Sequence, residues 1–225
     1  MTRPSLIGVY GGTFDPVHYG HLRVAEELVE TVGLDRLYFM PAGEPRLRDV
    51  PAASAYHRAQ MMVLATKDNQ HFFLDEREIE RSGESNTVES LHEYREQHGE
   101  HIALCFIIGA DAFCKIHQWY HWRELFQLCH LIVVERPNCQ RVADRCDLPS
   151  ELQSACEFRW TSNPHDLKRR LNGMIYIAPT TLLDISATQI RDHVTANESI
   201  RYLLPDNVSD YIKTHHLYSG NNEFK

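Results

Sequence analysis

The sequence contains no long hydrophobic run and no excess of positive charge. Its longest apolar stretches, residues 102–108 and 131–134, have the length of a strand, whereas a helix needs ~20 apolar residues to span a bilayer. Asp and Glu number 31 against 23 Lys and Arg, which gives a formal net charge of −8. We therefore expect no membrane span and no nucleic acid partner, because a polymer of phosphates requires a broad basic surface.

Cysteine pairs and targeting signals are also missing. The six cysteines form no Cys-x-x-Cys pair and several lie in apolar surroundings, so we expect reduced thiols. Residues 1–5 carry no basic segment followed by a long apolar stretch, which predicts a protein without a secretory signal and a cytoplasmic location. With 225 residues, 43% of them hydrophobic, the chain fits one large domain, residues 1–225, better than two small ones.

Short apolar runs alternate with segments of helical periodicity along most of the chain. A run that ends in Gly11 and Gly12 precedes Leu22, Ala25 and Leu28 at helical spacing, which predicts a strand, a glycine turn and a helix. The predicted strands are Leu6–Tyr10, Arg36–Met40, Phe72–Leu74, Ile102–Ile108, Leu131–Val134 and Ile175–Ala178. Because the strands are apolar on both faces, the pattern predicts an α/β fold, a doubly wound Rossmann-like parallel sheet with helices on both sides.

Polar residues mark the predicted helix starts. Ser54 is expected to cap one helix, while Asn86 with Glu89 and Ser186 with Gln189 have the spacing of capping boxes. A last short helix is predicted near residues 206–213, so that about 186–217 forms a small helical C-terminal part. Residues 139–172 have mixed polarity and are assigned to no element.

The turn after the first strand, residues 11–21, is where a doubly wound sheet commonly binds phosphate. It lacks both Gly-x-Gly-x-x-Gly and Gly-Lys-Ser/Thr, so it is neither a dinucleotide fingerprint nor a Walker loop. His18 and His21 are three residues apart at a helix start, so they project to the same side, at the positive end of the helix dipole. Two imidazoles there can hold a triphosphate, although the spacing alone is equally compatible with a metal site or a surface position.

Two motifs resemble the signatures of one superfamily. Residues 18–21, His-Tyr-Gly-His, resemble the His/Thr-x-Gly-His motif of a nucleotidyltransferase superfamily. Residues 185–191, Ile-Ser-Ala-Thr-Gln-Ile-Arg, resemble the segment that this superfamily places near its C-terminus. Further matches are similar to the bacterial nicotinate mononucleotide adenylyltransferases, namely Ile108-Gly109-Ala110-Asp111, Trp119 and Glu135-Arg136-Pro137.

The resemblance implies a transferase of NAD biosynthesis. The phosphate of nicotinate mononucleotide attacks the α-phosphorus of ATP in line, pyrophosphate leaves and deamido-NAD forms, with no covalent intermediate. ATP and nicotinate mononucleotide are the implied partners. Mg²⁺ is expected with ATP, because it neutralises a triphosphate and needs few protein ligands. Whether the chain forms a homo-oligomer is left open.

The family pattern also implies roles for individual residues. His18, His21 and Arg191 are the expected catalytic residues, in contact with the ATP phosphates. ATP binding is further assigned to Gly11, Gly12, Thr13, Phe14, Gly109, Asp111, Ile185, Ser186 and Thr188. Mononucleotide binding is assigned to Arg46, Arg48, Thr87, Trp119 and Arg136. Considered alone, Ser186 and Asp111 can equally be helix caps, and Trp119 can be a core residue.

Two segments depart from the family pattern. Residues 44–48, Glu-Pro-Arg-Leu-Arg, lack the histidine of the usual Pro-Pro-His-Lys/Arg, although Arg46 or Arg48 can supply positive charge to the substrate phosphate. Asn86 stands where tyrosine is usual. Two rival functions therefore remain: a nicotinamide mononucleotide or phosphopantetheine type of transferase, and a nucleotide-binding regulator that has lost turnover.

Overall fold

The computed structural model describes residues 5–45, 50–99, 101–135, 142 and 148–220. The strands among them are β1 (Leu6–Gly12), β2 (Arg36–Pro41), β3 (Glu44–Pro45), β4 (Phe72–Leu74), β5 (Glu84–Ser85), β6 (Ala103–Gly109), β7 (His130–Val134), β8 (Trp160–Thr161) and β9 (Ile175–Ala178). The helices are α1 (Tyr19–Val32), α2 (Ala55–Thr66), α3 (Arg77–Glu80), α4 (Thr87–His98), α5 (Ala110–Phe113), α6 (Leu125–Leu128), α7 (Ser150–Cys156), α8 (Ala187–Thr195) and α9 (Asp206–Thr214). Across these residues, no helix has both the length and the apolar character that a membrane crossing requires.

The main sheet has the predicted doubly wound topology. Within the described part of the chain it has seven strands, in the order β4-β2-β1-β6-β7-β9-β8. All neighbouring strands run parallel. The chain winds outward from β1 in both directions, so that Val9 of β1 lies opposite Tyr38 of β2 and opposite Phe106 of β6. Such a reversal of strand order opens a crevice at the carboxyl ends of β1 and β6.

Both faces of the sheet are buried, as the apolar strands predict. Leu6 and Tyr10 of β1 pack into a hydrophobic cluster on one face, which also contains Phe39. Ile7 and Val9 point the other way and pack into a cluster on the opposite face. Because successive side chains of a strand alternate between faces, a strand that is buried on both sides has an uninterrupted apolar sequence.

The helix starts confirm the predicted N-caps. The Ser54 hydroxyl accepts a hydrogen bond from the backbone N–H of His57, and the Ser186 hydroxyl accepts one from Gln189. The Asn86 side chain accepts from the backbone N–H of Val88 at 3.2 Å. Each such bond satisfies one of the donors that the first turn of a helix leaves without a partner.

The C-terminal helices lie against the first half of the chain. Ile190 of α8 and Val208 and Ile212 of α9 belong to the hydrophobic cluster that contains Tyr10 and Phe39. The backbone N–H of Tyr19, at the start of α1, donates to the Leu203 carbonyl at 3.0 Å. The predicted helical C-terminal part is therefore packed beside the glycine turn.

Three short strands were not predicted. β3 and β5 pair with each other in parallel, with Glu44 opposite Glu84, apart from the main sheet. β8 adds an edge to the main sheet beside β9 and lies in residues 139–172, where the sequence pattern assigned no element. Two residues are too few to show a strand periodicity, which explains why all three escaped the sequence pattern.

Candidate active site

A single cleft gathers the predicted site residues that the structure describes. It lies at the carboxyl ends of β1 and β6 and has a volume of about 1520 Å³. The predicted residues that line it are Gly11, Gly12, Thr13, Phe14, His18, His21, Thr87, Gly109, Asp111, Trp119, Ile185, Ser186, Thr188 and Arg191. Three further predicted residues, Arg46, Arg48 and Arg136, lie outside the described residues. The cleft therefore unites segments from both ends of the chain.

The two histidines lie face to face at the start of α1. His18 is the N-cap residue and His21 lies in the first turn, and their ring centroids are 3.8 Å apart with planes inclined by 34°. Both residues are buried, with 5% and 8% of their surfaces exposed. A Cβ atom on Gly20 would lie 2.9 Å from Nδ1 of His18, so a glycine is required for the His18 ring to take this position. The side chains of His18 and His21 therefore project to the same side of the helix, as predicted.

The glycine turn brings backbone close to the cleft. A Cβ atom at Gly11 would lie 2.7 Å from the Phe106 ring, and one at Gly12 would lie 2.9 Å from the Phe14 ring. Phe14 has a positive φ of 50°, a conformation that is uncommon for a residue with a side chain. Its buried ring packs edge-on against His21 with centroids 5.0 Å apart. The aromatic rings below the turn therefore support the imidazoles that line the cleft.

Arg191 reaches the glycine turn from α8. Its Nη1 donates to the backbone carbonyl of Asp15 at 2.7 Å, and its Nη2 donates to the Thr188 hydroxyl at 3.2 Å. Ser186 caps α8 with its hydroxyl and is also one of the residues that line the cleft. The N-terminus of α8 thus faces the same cleft as the N-terminus of α1. Two helix N-termini give a favourable electrostatic environment for phosphate groups.

The other half of the cleft has an aromatic ring and a third helix start. Thr87 is the first residue of α4, directly after its N-cap Asn86. Trp119 is half-buried and packs edge-on against Phe106, with ring centroids 6.2 Å apart. It therefore contacts the hydrophobic core and also lines the cleft. Gly109 is the N-cap of α5, and Asp111 is the second residue of that helix. Asp111 is therefore not the helix cap. Asp111 is an exposed residue that lines the cleft.

Three residues beside the cleft were missed by the sequence analysis. The Asp15 carboxylate accepts hydrogen bonds from the backbone N–H groups of Ala52 and Ala53, at 2.7 and 3.1 Å. It also accepts one from the Tyr218 hydroxyl at 2.7 Å. Arg58 donates to the backbone carbonyls of Thr13 and Gly43, at 2.8 and 3.1 Å.

Burial perturbs the ionisation of Arg58 and Tyr218. Burial lowers the pKa of Arg58, while the negative charge of Asp15 acts in the opposite direction. Burial and the same carboxylate raise the pKa of Tyr218, which keeps its hydroxyl protonated as a donor. One signal in the sequence was available: Arg58 lies among Ala59, Met61 and Met62 on the apolar side of α2, and a charge in such a position needs dedicated partners.

Comparisons with known proteins show which family the chain resembles in sequence. A family model described as cytidylyltransferase-like matches residues 9–193. A relative from Dechloromonas aromatica is 43% identical over 218 residues, which cover 97% of this chain and 99% of the relative. One from Methylococcus capsulatus is 40% identical over 215 residues, which cover 95% and 100%. Each carries the name "Probable nicotinate-nucleotide adenylyltransferase".

Solved structures share the fold. Plasmodium falciparum nicotinic acid mononucleotide adenylyltransferase complexed with NaAD matches with a TM-score of 0.71 and 19% sequence identity, over 95% of this chain and 97% of that one. The same enzyme complexed with APC matches with a TM-score of 0.69. At this level of identity the likeness establishes the Rossmann-like fold, while the family rests on the closer relatives in sequence.

Proposed function

The chain belongs to the nicotinate-nucleotide adenylyltransferase family, within the cytidylyltransferase-like proteins, and we propose that it transfers the adenylyl group of ATP to nicotinate mononucleotide. The products are deamido-NAD and pyrophosphate. The observation that carries the proposal is the cleft itself, which is lined by a histidine pair, an arginine, a tryptophan and residues at three helix starts. Such a cleft can hold a triphosphate beside an aromatic mononucleotide.

The reaction is one displacement at phosphorus. A phosphate oxygen of the mononucleotide attacks the α-phosphorus of ATP with a lone pair, and the bond from that phosphorus to the bridging oxygen of the β-phosphate breaks. Pyrophosphate leaves with the electron pair of the broken bond. Because no covalent bond to the protein is formed, the protein contributes by positioning the two substrates and by stabilising charge.

The histidine pair and Arg191 face the negative charge that collects on the leaving pyrophosphate. His18 and His21 lie at the positive end of the α1 dipole, and both can donate ring N–H groups to phosphate oxygens. Arg191 lies at the glycine turn and offers a planar guanidinium to the same phosphates. Donors placed in advance where charge develops lower the barrier without having to reorganise during the reaction.

Magnesium is part of the proposal. Among the described residues, no group of three or more His, Cys, Asp or Glu side chains could hold a metal ion. We expect the ion to arrive with ATP, since Mg²⁺ usually keeps several waters and binds substrate phosphates rather than a full set of protein ligands. When bound, the ion neutralises part of the triphosphate charge.

The pyridine ring is assigned to the wall that carries Trp119 and Thr87. A half-buried tryptophan offers an aromatic face against which a pyridine ring can stack. Thr87 opens α4, where the positive end of the helix dipole favours a carboxylate over a neutral amide. This arrangement supports nicotinate mononucleotide over nicotinamide mononucleotide as the acceptor.

We also propose a cytoplasmic location. The described cysteines Cys105, Cys114, Cys129 and Cys156 are free thiols, which suits a reducing compartment. Burial raises the pKa of Cys129 and of Cys156 to about 12, so these thiols stay protonated and unreactive at neutral pH.

The proposal is tested by pyrophosphate release from ATP and Mg²⁺ with different acceptors. Nicotinate mononucleotide, nicotinamide mononucleotide and phosphopantetheine are compared at matched concentrations. We expect the highest kcat/KM with the nicotinate form. Faster release with another acceptor would reassign the substrate, and absence of release with every acceptor would indicate a regulator that binds nucleotide without turnover.

A further inference from the structure

Arg58 is among the largest fully buried side chains of the described residues and does not line the cleft. It lies on α2, with 1% of its surface exposed. Its two terminal nitrogens donate to different backbone segments: Nη1 to the Thr13 carbonyl at 2.8 Å and Nη2 to the Gly43 carbonyl at 3.1 Å. Thr13 belongs to the glycine turn, which we assign to ATP. Gly43 belongs to the segment that leaves β2 on the mononucleotide side.

Gly43 is connected in turn to the wall that carries Thr87. Its backbone N–H donates to the Ser85 hydroxyl at 2.7 Å, two residues before Thr87. A Cβ atom on Gly43 would lie 2.1 Å from the Glu78 carbonyl, so this backbone is closely packed on that side as well. A continuous path of direct contacts therefore runs from Thr13 through Arg58 and Gly43 to Ser85.

Asp15 makes a second connection between the same two halves of the cleft. Its carboxylate accepts the backbone N–H groups of Ala52 and Ala53, at the far end of the segment that begins at Gly43. The Tyr218 hydroxyl donates to the same carboxylate at 2.7 Å. Arg58 and Asp15 thus attach both described flanks of residues 46–49 to the glycine turn. We call these two residues and their backbone partners the Arg58–Asp15 bridge.

We propose that the Arg58–Asp15 bridge couples the binding of the two substrates, so that ATP in its half of the cleft strengthens binding of the mononucleotide in the other half. The inference rests on the proposed function and names the positioning residues of that same site. The bridge joins the glycine turn to the backbone at Gly43, Ala52 and Ala53, so a shift of one of these segments shifts the other. A substrate that holds the glycine turn in place therefore favours the bound position of Gly43, Ala52 and Ala53 as well, which is a positive coupling free energy and is reciprocal.

The coupling also serves the chemistry. The attacking oxygen must be held about 3–3.5 Å from the α-phosphorus and in line with the leaving group, although the two atoms belong to separately bound molecules. Arg58 and Asp15 contact backbone on both sides of the cleft and lie outside the reacting atoms, so they act through the segments that they hold.

The test measures the dissociation constant of nicotinate mononucleotide by calorimetry, with and without saturating α,β-methylene-ATP and Mg²⁺. This analogue has no cleavable bond between the α- and β-phosphates, so both ligands stay intact. We expect the wild type to bind the mononucleotide about 5- to 150-fold more tightly with the analogue present. In Arg58→Lys this factor should fall to about 1–2, because an ammonium group lacks the planar fork that reaches two carbonyls.

Arg95→Lys is the matched control. Arg95 also donates to backbone carbonyls, those of Ile102, Leu128 and Leu171, but these residues do not line the cleft. The control should lose thermal stability and keep the wild-type coupling factor. Tyr218→Phe is a second test variant, in case Arg58→Lys does not fold. It removes one hydrogen bond to Asp15 and should lower the factor at least about twofold.

The inference is overturned if Arg58→Lys and Tyr218→Phe retain the wild-type factor, or if Arg95→Lys loses it equally. A wild-type factor of 1 in an enzyme that turns over nicotinate mononucleotide would also overturn the inference and leave the proposed function intact. A wild type that releases no pyrophosphate with nicotinate mononucleotide would overturn both.

Discussion

At the scale of single residues, the assignment of catalysis is clearest for His18. The His18 side chain makes no capping hydrogen bond to α1, although the residue occupies the N-cap position. Its ring instead stacks against His21 beside the cleft. A residue that occupies a cap position without capping, and presents a polar ring to a cleft, is better explained by ligand binding than by stability.

Substitution of His18 should therefore separate activity from folding. We expect His18→Ala to lower kcat by about 10²–10³-fold, the usual cost of removing one donor to a developing negative charge, with the melting temperature changed little. Steady-state pyrophosphate release and thermal denaturation measure the two effects. His165→Ala, at an exposed position away from the cleft, is the control and should keep wild-type activity. Near-normal turnover in His18→Ala would remove His18 from the mechanism.

The residues that the sequence analysis missed show where single-residue reasoning ends. His18, His21 and Arg191 were predicted because each lies in a short local motif. Asp15 and Tyr218 meet across 203 residues of sequence, and no local pattern in either segment specifies the partner. Arg58 had a local signal, which is a charge among apolar helix positions. That signal predicts a buried side chain, but it does not predict which carbonyls accept its hydrogen bonds.

At the scale of secondary-structure elements, the start of α8 contributes both to stability and to the cleft. Ser186 caps α8 through its bond to Gln189 and also lines the cleft. Stability and activity can be separated here because asparagine is an N-cap as good as serine but carries no hydroxyl.

We expect Ser186→Ala to lower the free energy of unfolding by about 1 kcal/mol and to reduce turnover. Ser186→Asn should restore the stability while turnover stays low, because the amide caps the helix without offering a hydroxyl to phosphate. Denaturant titration and pyrophosphate release are measured on both variants. Full activity in Ser186→Asn would mean that Ser186 acts through the helix cap alone.

Strand β7 carries a buried histidine that should make stability depend on pH. The backbone N–H of Met174 donates to Nδ1 of His130 at 3.1 Å, so Nε2 carries the proton and donates to the Arg170 carbonyl at 3.0 Å. Burial lowers the pKa of His130 from 6.5 to about 4. Between these values the unfolded chain takes up a proton that the native protein does not. The neutral His130 ring therefore makes its full contribution to the free energy of unfolding above about pH 6.5, and this contribution is lost as the pH falls toward 4.

The loss should reach about 3 kcal/mol at pH 4, since each unit of pKa difference corresponds to about 1.4 kcal/mol. His130→Gln is the comparison, because its amide can accept from Met174 and donate to Arg170 but does not titrate. Denaturant titrations at pH 7, 5.5 and 4 should show a steeper loss of stability in the wild type than in His130→Gln. Parallel pH profiles would show that His130 titrates normally in the native protein.

The elements were predicted where they are long enough to show a period. β1, β2, β6, β7 and β9 carry continuous apolar runs, and their boundaries agree with the prediction to within one or two residues. β3, β5 and β8 have two residues each, and they form because neighbouring backbone is already in place. Tertiary context rather than local sequence determines such elements.

At the scale of the whole molecule, the site exists only because distant segments converge. Arg191 of α8 donates to the Asp15 carbonyl across 176 residues, and the loop after β9 reaches α1 through the backbone N–H of Thr181, which donates to the Glu27 carboxylate at 2.7 Å. The doubly wound topology makes this convergence possible, because all parallel strands of the sheet end at the same edge. The fold class predicted that the site lies at this edge of the sheet, and the motifs predicted most of its residues. The contacts between the distant segments could be identified only in the structure.

The most direct measurement of the central claim follows the α-phosphorus itself. ATP carrying ³²P at the α-position is incubated with the protein, Mg²⁺ and nicotinate mononucleotide, and the products are separated by chromatography. The account predicts that the label appears in deamido-NAD, with one unlabelled pyrophosphate released for each dinucleotide formed. Label that remains covalently attached to the protein, or that appears only in AMP, would contradict direct adenylyl transfer to the mononucleotide.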